Sequence, residues 1–361
     1  MIIAVKKDLF PEVIIVGFVS ATLVGRSTTS GIYRFIRNRI DWLREATGYK
    51  NAAHISRAHL PRFLNQLDWA ALNRLIEQHF GTRIERDNNK EWVALDGKTL
   101  RGTVKSGDKQ SVILGVTHGG RKVVAHGCQR GNKSSEIPAV RELLKQTGLD
   151  RQKVSLDAHH CNPLTTSQID RNGGLYLIQV KGNQSILEEQ CRSLESSGEV
   201  IGTHVEHDKA NGRLTTRHAS VFSMNSLEID KRWRDSGIKC LTAVKRETFE
   251  FSTKKTSFET SYYISNIPVD VNCGQQVASE TAQAIRGHWG VEADNCIRDK
   301  TFREDYVKTK YGNQAQIMAR LRGLAMALIR GTKTKNFQEM IDNFMDCPEN
   351  LRSILKRANF L

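Results

Sequence analysis

Residues 92–102 read WVALDGKTLRG and contain the most informative pattern of the chain. The first five residues are an apolar run of strand formers that ends on Asp96, and Gly97 and two cations, Lys98 and Arg101, follow. Gly-Lys-Thr also ends the phosphate-binding P-loop, but that loop requires a glycine where this chain has Trp92. We therefore predict a buried strand that ends on an acid, and no bound nucleotide. Such an acid is either a metal ligand or the cap of a turn, and this stretch alone leaves both open.

Length, charge and cysteine spacing limit the class of protein. The 361 residues exceed what one simple core organises, so two or three domains are expected. The 54 Lys+Arg against 39 Asp+Glu give a net charge of +15, which favours nucleic acid as the partner. The seven cysteines are at least 23 positions apart, which excludes a C-x-x-C motif and favours a reducing cytoplasm. The longest apolar run, residues 13–25, is too short to span a bilayer, so we predict a buried helix there and no membrane partner.

The character of the sequence changes along the chain and suggests five segments. Residues 1–88 have the periodicity of helices and are predicted to form an accessory, DNA-binding domain. Residues 89–190 alternate strands with helices, and the strands SVILGVTH and KVVAHGCQ are predicted to form a hairpin through Gly119 and Gly120. Residues 191–275 contain short alternating runs typical of an antiparallel β insertion. Residues 276–331 are helical again and carry Glu292, and residues 332–361 form a C-terminal tail. The fold class is therefore α/β.

Three carboxylates stand in places where they could meet. Asp96 and Asp157 each end an apolar strand, and Glu292 lies on a downstream helix whose spacing places it on one face with His288, Asn295 and Asp299. Two divalent ions about 4 Å apart need several such oxygens, and the pair serves phosphoryl transfer. Residues 98–133 contain eight Lys+Arg and one acid, a block suited to a phosphate backbone.

Several ordered stretches are similar to one known family. The motifs ALDGKTLRG, KSSEI, SLDAHH, YLIQVKGNQ and IRGHWGVE, the last followed by IRDKTFREDYVKTKYGN, resemble the DDE-type transposases of bacterial insertion sequences, and among them the H-repeat-associated (ISAs-type) group. The resemblance spans residues 91–331 and reaches the helical segment before them. It implies a ribonuclease-H-like catalytic core, interrupted by a β insertion, behind an N-terminal helical domain. It also implies that Asp96, Asp157 and Glu292 are the catalytic acids and hold Mg²⁺, for which Mn²⁺ substitutes, as two ions.

The same resemblance implies the partners and the reaction. The substrate would be double-stranded DNA, namely the terminal inverted repeats and a target, cut and joined by a protein that self-associates as a dimer in the bacterial cytoplasm, at the nucleoid. A stand-alone Mg²⁺-dependent nuclease and a DNA-binding protein with weakened catalysis are the alternatives. The candidate DNA contacts are Lys98, Arg101, Lys181, Asn183, Gln184, Arg286 and His288.

Some positions depart from the wider superfamily or allow two interpretations. The superfamily signature Y-x-x-R-x-x-x-E, followed by lysine, has Ile285, His288 and Asp299 here at the tyrosine, arginine and lysine positions, and relatives often carry histidine where this chain has Asn295 and Cys296. Trp289 is predicted to pack in the core rather than to stack on a base. Glu304 and Asp305 are predicted to be surface charges. His159, His160 and Cys161 are predicted to support the site or contact DNA, because Mg²⁺ prefers oxygen ligands.

Overall fold

The structure, a computed structural model, describes residues 10–80, 91–104, 107–130, 136–225, 228–309, 312–332, 334 and 336–359. Within these ranges the chain is a mixed α/β protein with one large mixed sheet and many helices, which confirms the predicted class. Lys105 and Lys133 of the basic block, and the two serines of KSSEI, lie outside the described residues. No helix within the described ranges is both long and apolar enough to cross a membrane.

Helices form the described N-terminal part of the chain. They are α1 (Pro11–Leu23), α2 (Thr29–Asn38), α3 (Ile40–Thr47), α4 (His59–Gln66) and α5 (Trp69–Phe80). The predicted buried helix over residues 13–25 is confirmed as α1, which begins with Pro11 in its first turn and is apolar on nearly every side. Asp68 separates α4 from α5 because its Oδ1 accepts a hydrogen bond from the Ala71 N–H, 3.1 Å away, as an N-cap does.

Nine strands in the described residues form a single sheet. They are β1 (Trp92–Thr99), β2 (Gln110–Thr117), β3 (Val123–Arg130), β4 (Lys153–Leu156), β5 (Leu175–Val180), β6 (Gly202–Ala210), β7 (Arg213–Ser223), β8 (Cys240–Glu250) and β9 (Lys255–Ser265). The order is β3-β2-β1-β4-β5-β9-β8-β7-β6, and β1, β4 and β5 run parallel while all other neighbours are antiparallel. The hairpin β2–β3 and the antiparallel run are confirmed. That run is continuous with the first five strands because β9 pairs with β5.

The remaining helices cover the sheet or extend beyond it. They are α6 (Arg101–Val104), α7 (Glu136–Thr147), α8 (Pro163–Arg171), α9 (Ser185–Ser197), α10 (Gly274–Lys300), α11 (Gly312–Arg330), α12 (Phe337–Asp346) and α13 (Pro348–Arg357). The N-terminal helices share one hydrophobic core with α11, α12 and α13, and a second core lies under the sheet against α7, α8 and α9. The domain boundaries themselves stay a prediction.

The first strand is longer than the sequence suggested. We predicted that it ends on Asp96 and turns at Gly97, but β1 continues to Thr99, with Asp96 opposite Leu114 and Gly97 opposite Ile113. The strand continues because β2 pairs with it along its whole length. Gly97 is needed for packing, since a Cβ there would overlap the carboxylate of Glu136. The prediction of a strand end was therefore wrong.

Candidate active site

Two adjacent parallel strands bring Asp96 and Asp157 side by side. The last paired residues of β1 and β4 are Leu95 and Leu156, and each is followed directly by its acid. Neighbouring strands lie about 4.8 Å apart, and alternate side chains point to opposite faces. Because Leu95 and Leu156 are buried in the core under the sheet, the two carboxylates point to the other face. Helix α10 packs over that face.

Helix α10 presents a row of polar side chains to this face of the sheet. Asn295 Nδ2 donates to Asp96 Oδ2 at 2.7 Å, and Asp299 Oδ1 lies 2.6 Å from Lys98 Nζ. About two turns before Asn295, His288 Nδ1 is hydrogen-bonded to the hydroxyl of Ser155 on β4. The predicted shared face of the helix is therefore confirmed for these residues. Helix α10 runs in the same direction as β1, since Asn295 contacts Asp96 and the later Asp299 contacts the later Lys98.

Asp157 and Glu292 meet at a small cavity of about 40 Å³ between β4, β5 and α10. His288 and Trp289 line the same cavity. Trp289 is 49% exposed, so the prediction that it packs in the core was wrong. The indole lines this cavity instead, with about half of its surface uncovered.

The three acids interact electrostatically. Burial, then the charge of Asp157, raises the pKa of Asp96 to about 7, and Glu292 adds to the shift while His160 opposes it. Burial and the charge of Asp157 also raise the pKa of Glu292, against the opposing effect of Lys181. Carboxylates in this relation repel each other, and a bound cation would relieve the repulsion.

The chemistry of these side chains suits a hard cation, although the ligands are not yet assembled. Carboxylate oxygens are the donors that Mg²⁺ prefers. Within the ranges that the structure describes, no three His, Cys, Asp or Glu side chains are arranged so that they could hold a metal ion as they stand.

Lys98, one of the predicted DNA contacts, faces inward. Its Nζ is 2.6 Å from Asp299, 3.1 Å from Asp305 and 3.5 Å from Glu304, and its side chain is only 7% exposed. Glu304 is fully buried and Asp305 largely so, which means that the prediction of two surface charges was wrong. The loop after α10 folds back onto β1 and neutralises the lysine, so Lys98 holds α10 to the sheet.

Arg101 and Arg286 remain at the surface. Arg101 is 80% exposed and only approaches Asp305, at 3.4 Å. Arg286 lies on α10 and pairs with Asp208 at 2.8 Å and with Glu206 at 3.4 Å, both on β6. That pairing secures the helix to the far end of the sheet, and it occupies the guanidinium that we predicted to contact DNA.

In the basic turn after β5, two amide side chains bond to the backbone and one lysine is exposed. Asn183 donates to the carbonyl oxygen of Ala158 at 2.7 Å, and Gln184 donates to that of Cys161 at 2.9 Å. These bonds hold the segment that follows Asp157. Lys181 is exposed, lies beside Glu292 and has no ion pair among the described residues. Of the three predicted contacts in this turn, Lys181 is the one whose charge is open to a ligand.

A larger groove continues from the cavity along the strands β6–β9. Its volume is about 500 Å³, and Glu292 and Lys181 lie in its lining. Four arginines line it as well, each with an acidic partner on the described residues: Arg213, Arg217, Arg246 and Arg286. The groove beside the carboxylate cluster is therefore lined by arginines whose positions are fixed by ion pairs with acidic side chains.

Three polar residues in this region, Glu136, His118 and Ser155, were not predicted from the sequence. Glu136 is buried at the start of α7, its Oε1 lies 3.4 Å from Nε2 of His160, and its carboxylate packs against Gly97. The motif KSSEI contained this residue and could have indicated it. His118 and Ser155 are polar residues near the ends of strands, and no spacing pattern connects them with His288.

Comparisons with known proteins agree with the motifs. No model of a known protein family matches the chain. The chain is 26% identical over 324 residues to "Putative transposase YncI" of Escherichia coli O157:H7, which covers 87% of this chain and 80% of that protein. It is 28% identical over 255 residues to "H repeat-associated putative transposase YhhI" of Escherichia coli K12, covering 68% of this chain and 66% of that protein. For "H repeat-associated putative transposase YbfD" the identity is 28% over 152 residues, 40% of this chain and 58% of that protein. The predicted resemblance is thus confirmed by homologues with those names.

Proposed function

We propose that this protein is a transposase that hydrolyses a phosphodiester bond at the terminal inverted repeats of an insertion sequence and joins the freed 3′ end to target DNA. The observation that carries the proposal is the meeting of Asp96 and Asp157 on adjacent parallel strands with Glu292 on the helix above them. The raised pKa values of Asp96 and Glu292 support it, because perturbed carboxyls in a cleft are typical of catalytic sites. The names of the homologues support it as well.

We assign β1–β5 and α10 to a ribonuclease-H-like core, with β6–β9 as its insertion. The support is topological: the three acids come from β1, from the end of β4 and from α10, and the added strands stand in the chain between the second and third acid. The insertion borders the groove beside Glu292, where it could shape the path of a DNA strand.

Asp96, Asp157 and Glu292 would hold two Mg²⁺ ions, for which Mn²⁺ substitutes. When bound, the ions supply Lewis-acid activation of the attacking oxygen and charge neutralisation at the leaving oxygen. Asp96 and Asp157 contribute a fixed pair on the sheet, whose mutual repulsion favours uptake of a cation. Asn295 orients Asp96 through its amide, and Lys98 fixes α10 so that Glu292 stays over the pair. The exchange of one phosphodiester for another needs no nucleotide.

The DNA partner would contact two charged surfaces. One is the groove beside Glu292, where Lys181 has its charge free for a phosphate. The other is a pocket of about 310 Å³ between α2, α3 and α12, α13, lined by Arg26, Arg34 and Arg39 together with the aromatic rings of Phe35 and Trp42. These three arginines have no ion pair among the described residues, as expected of a surface for a polyanion. Terminal repeats and target DNA would be held by a dimer.

One observation favours a second function, a DNA-binding protein with weakened catalysis. The Asn295 amide bonds to Asp96 Oδ2, and no three possible ligands within the described ranges are assembled. A protein with this second function would bind DNA through its cationic surfaces without cutting it.

A supercoiled plasmid that carries the gene with its flanking DNA distinguishes these functions. We expect the purified protein to cut and join this DNA with Mg²⁺ and without ATP, and to do neither in EDTA. Asp157→Asn should lose cleavage by orders of magnitude and keep its DNA affinity, whereas Asp41→Asn, at a 90% exposed helix position, serves as the matched control. Cleavage without joining would indicate a nuclease. Binding without any metal-dependent cleavage would overturn the transposase proposal in favour of the second function.

A further inference from the structure

A chain of three hydrogen-bonded side chains ends at the cavity beside Asp157. Nε2 of His118, in the connection between β2 and β3, lies 2.9 Å from Oγ of Ser155. The same Oγ lies 2.9 Å from Nδ1 of His288 on α10. Ser155 is buried in β4, two residues before Asp157. The chain therefore joins three separate elements at the carboxylate cluster.

The outer end of this chain is firmly held. The rings of Trp92 and His118 are stacked with centroids 6.4 Å apart, and Trp92 Nε1 donates to Oε1 of Glu280 on α10 at 3.1 Å. On the other side, Gly287 leaves room for the His118 ring, because a Cβ at that position would overlap it. The position of His118 thus depends on Trp92 of β1 and on Glu280 and Gly287 of α10.

The inner end has an unused hydrogen-bonding position. Nε2 of His288 is buried and has no partner among the described residues. A neutral imidazole carries one N–H and one lone pair, so in each ring one nitrogen donates and the other accepts. The serine hydroxyl has one proton and can donate to only one of the two rings.

We propose that His118 and Ser155 are positioning residues that hold His288 with its proton on Nε2, so that this N–H donates to a non-bridging oxygen of the scissile phosphate. The direction is His118 Nε2–H to Ser155 Oγ, then Ser155 O–H to His288 Nδ1. A donor suits the cavity better than a lone pair, because Asp157 and Glu292 already supply acceptors and a phosphate brings more. The inference rests on the proposed function. It adds to it that the neutral ring of His288, at the arginine position of the superfamily signature, contacts the scissile phosphate.

The tautomer can be measured without any catalysis. In the full-length protein labelled with ¹⁵N-histidine, we expect the His288 signals at pH 7 to show a protonated Nε2 and an unprotonated Nδ1, with His288→Gln used to assign them. Ser155→Ala should remove the preference, and Ser155→Thr, which retains a hydroxyl, should restore it. A proton on Nδ1 of His288 in the unaltered protein would overturn the proposal, whatever its activity.

Cleavage of the plasmid described above gives the second measurement. Loss of the oriented partner in Ser155→Ala should lower the single-turnover cleavage rate about 10- to 100-fold, with DNA affinity unchanged and with recovery in Ser155→Thr. Ser111→Ala is the matched control, since this hydroxyl is also buried in the sheet but its partner is Thr99. Equal rates in Ser155→Ala and Ser111→Ala would contradict the positioning role. If the unaltered protein cuts no DNA, the proposed function fails, and the ¹⁵N result still decides the tautomer.

Discussion

Asp96→Asn should stabilise the metal-free protein while it abolishes cleavage. The buried carboxylate of Asp96 is destabilised by its surroundings and by Asp157, as its pKa of about 7 shows. An asparagine has no charge to bury, and its side-chain oxygen can still accept the hydrogen bond from Asn295 Nδ2. A substitution that removes a proposed metal ligand is thus expected to raise the free energy of unfolding, as is common when a functional site carries electrostatic strain.

The effect depends on pH in a defined direction. Folding raises the pKa of Asp96 from 3.8 to about 7, so the folded protein keeps a proton that the unfolded chain releases as the pH rises above 3.8. The free energy of unfolding therefore falls between these two values and stays low above pH 7. A shift of this size corresponds to about 4 kcal/mol at most, at about 1.4 kcal/mol per pKa unit. Partial solvent access and relaxation reduce the expected gain of Asp96→Asn at pH 8 to about 2 kcal/mol.

Urea unfolding at pH 5 and pH 8, without metal, measures this gain. The stability difference between Asp96→Asn and the unaltered protein should widen towards pH 8, and Asp41→Asn should show no such widening. With Mg²⁺ at pH 8, the unaltered protein should gain stability and Asp96→Asn should gain less, because it lacks a ligand. A gap that is constant with pH, or that narrows as the pH rises, would refute the idea that Asp96 carries a buried and repelled charge.

Three further substitutions test separate parts of the structure. Lys98→Met leaves its carboxylate partners without their ammonium and should cost about 3–5 kcal/mol of stability in urea unfolding, and a change below 1 kcal/mol would mean that the lysine is not held as described. Gly97→Ala should lower the melting temperature because the methyl group meets the Glu136 carboxylate, and Glu136→Ala in the same chain should restore part of the loss. Replacing Arg34 and Arg39 together by glutamine should reduce the slope of log affinity for DNA against log salt by about two units, and an unchanged slope would place DNA elsewhere.

Local sequence was sufficient where neighbours in the chain determine the outcome. The strands WVALD and KVSLD, the hairpin at Gly119 and Gly120, and the polar face of α10 all follow from periodicities of two and of about 3.6 residues. Such patterns also placed Asp96, Asp157 and Glu292 as candidates. They could not show that Asp96 lies within a strand, because pairing with β2 is a contact between residues distant in the chain.

The roles of the charged side chains depended on tertiary structure. Lys98 reads like a phosphate ligand in WVALDGKTLRG, but the loop after α10 brings Glu304 and Asp305 to it from about two hundred residues away. Lysine has a long, flexible side chain, so its ammonium pairs with the acids that the fold places nearby. Spacing in the sequence does not determine which acids those are.

The sequence by itself indicated the strands, the helical segments and three candidate acids, because apolar periodicity and residue type are local properties. Only the tertiary structure decided which of the polar residues share a site. The parallel register of β1 and β4 sets Asp96 beside Asp157, and the packing of α10 across them adds Glu292 and the chain through Ser155. That register and that packing arise from burial of the apolar faces of the whole sheet, a free energy that no short stretch of sequence contains.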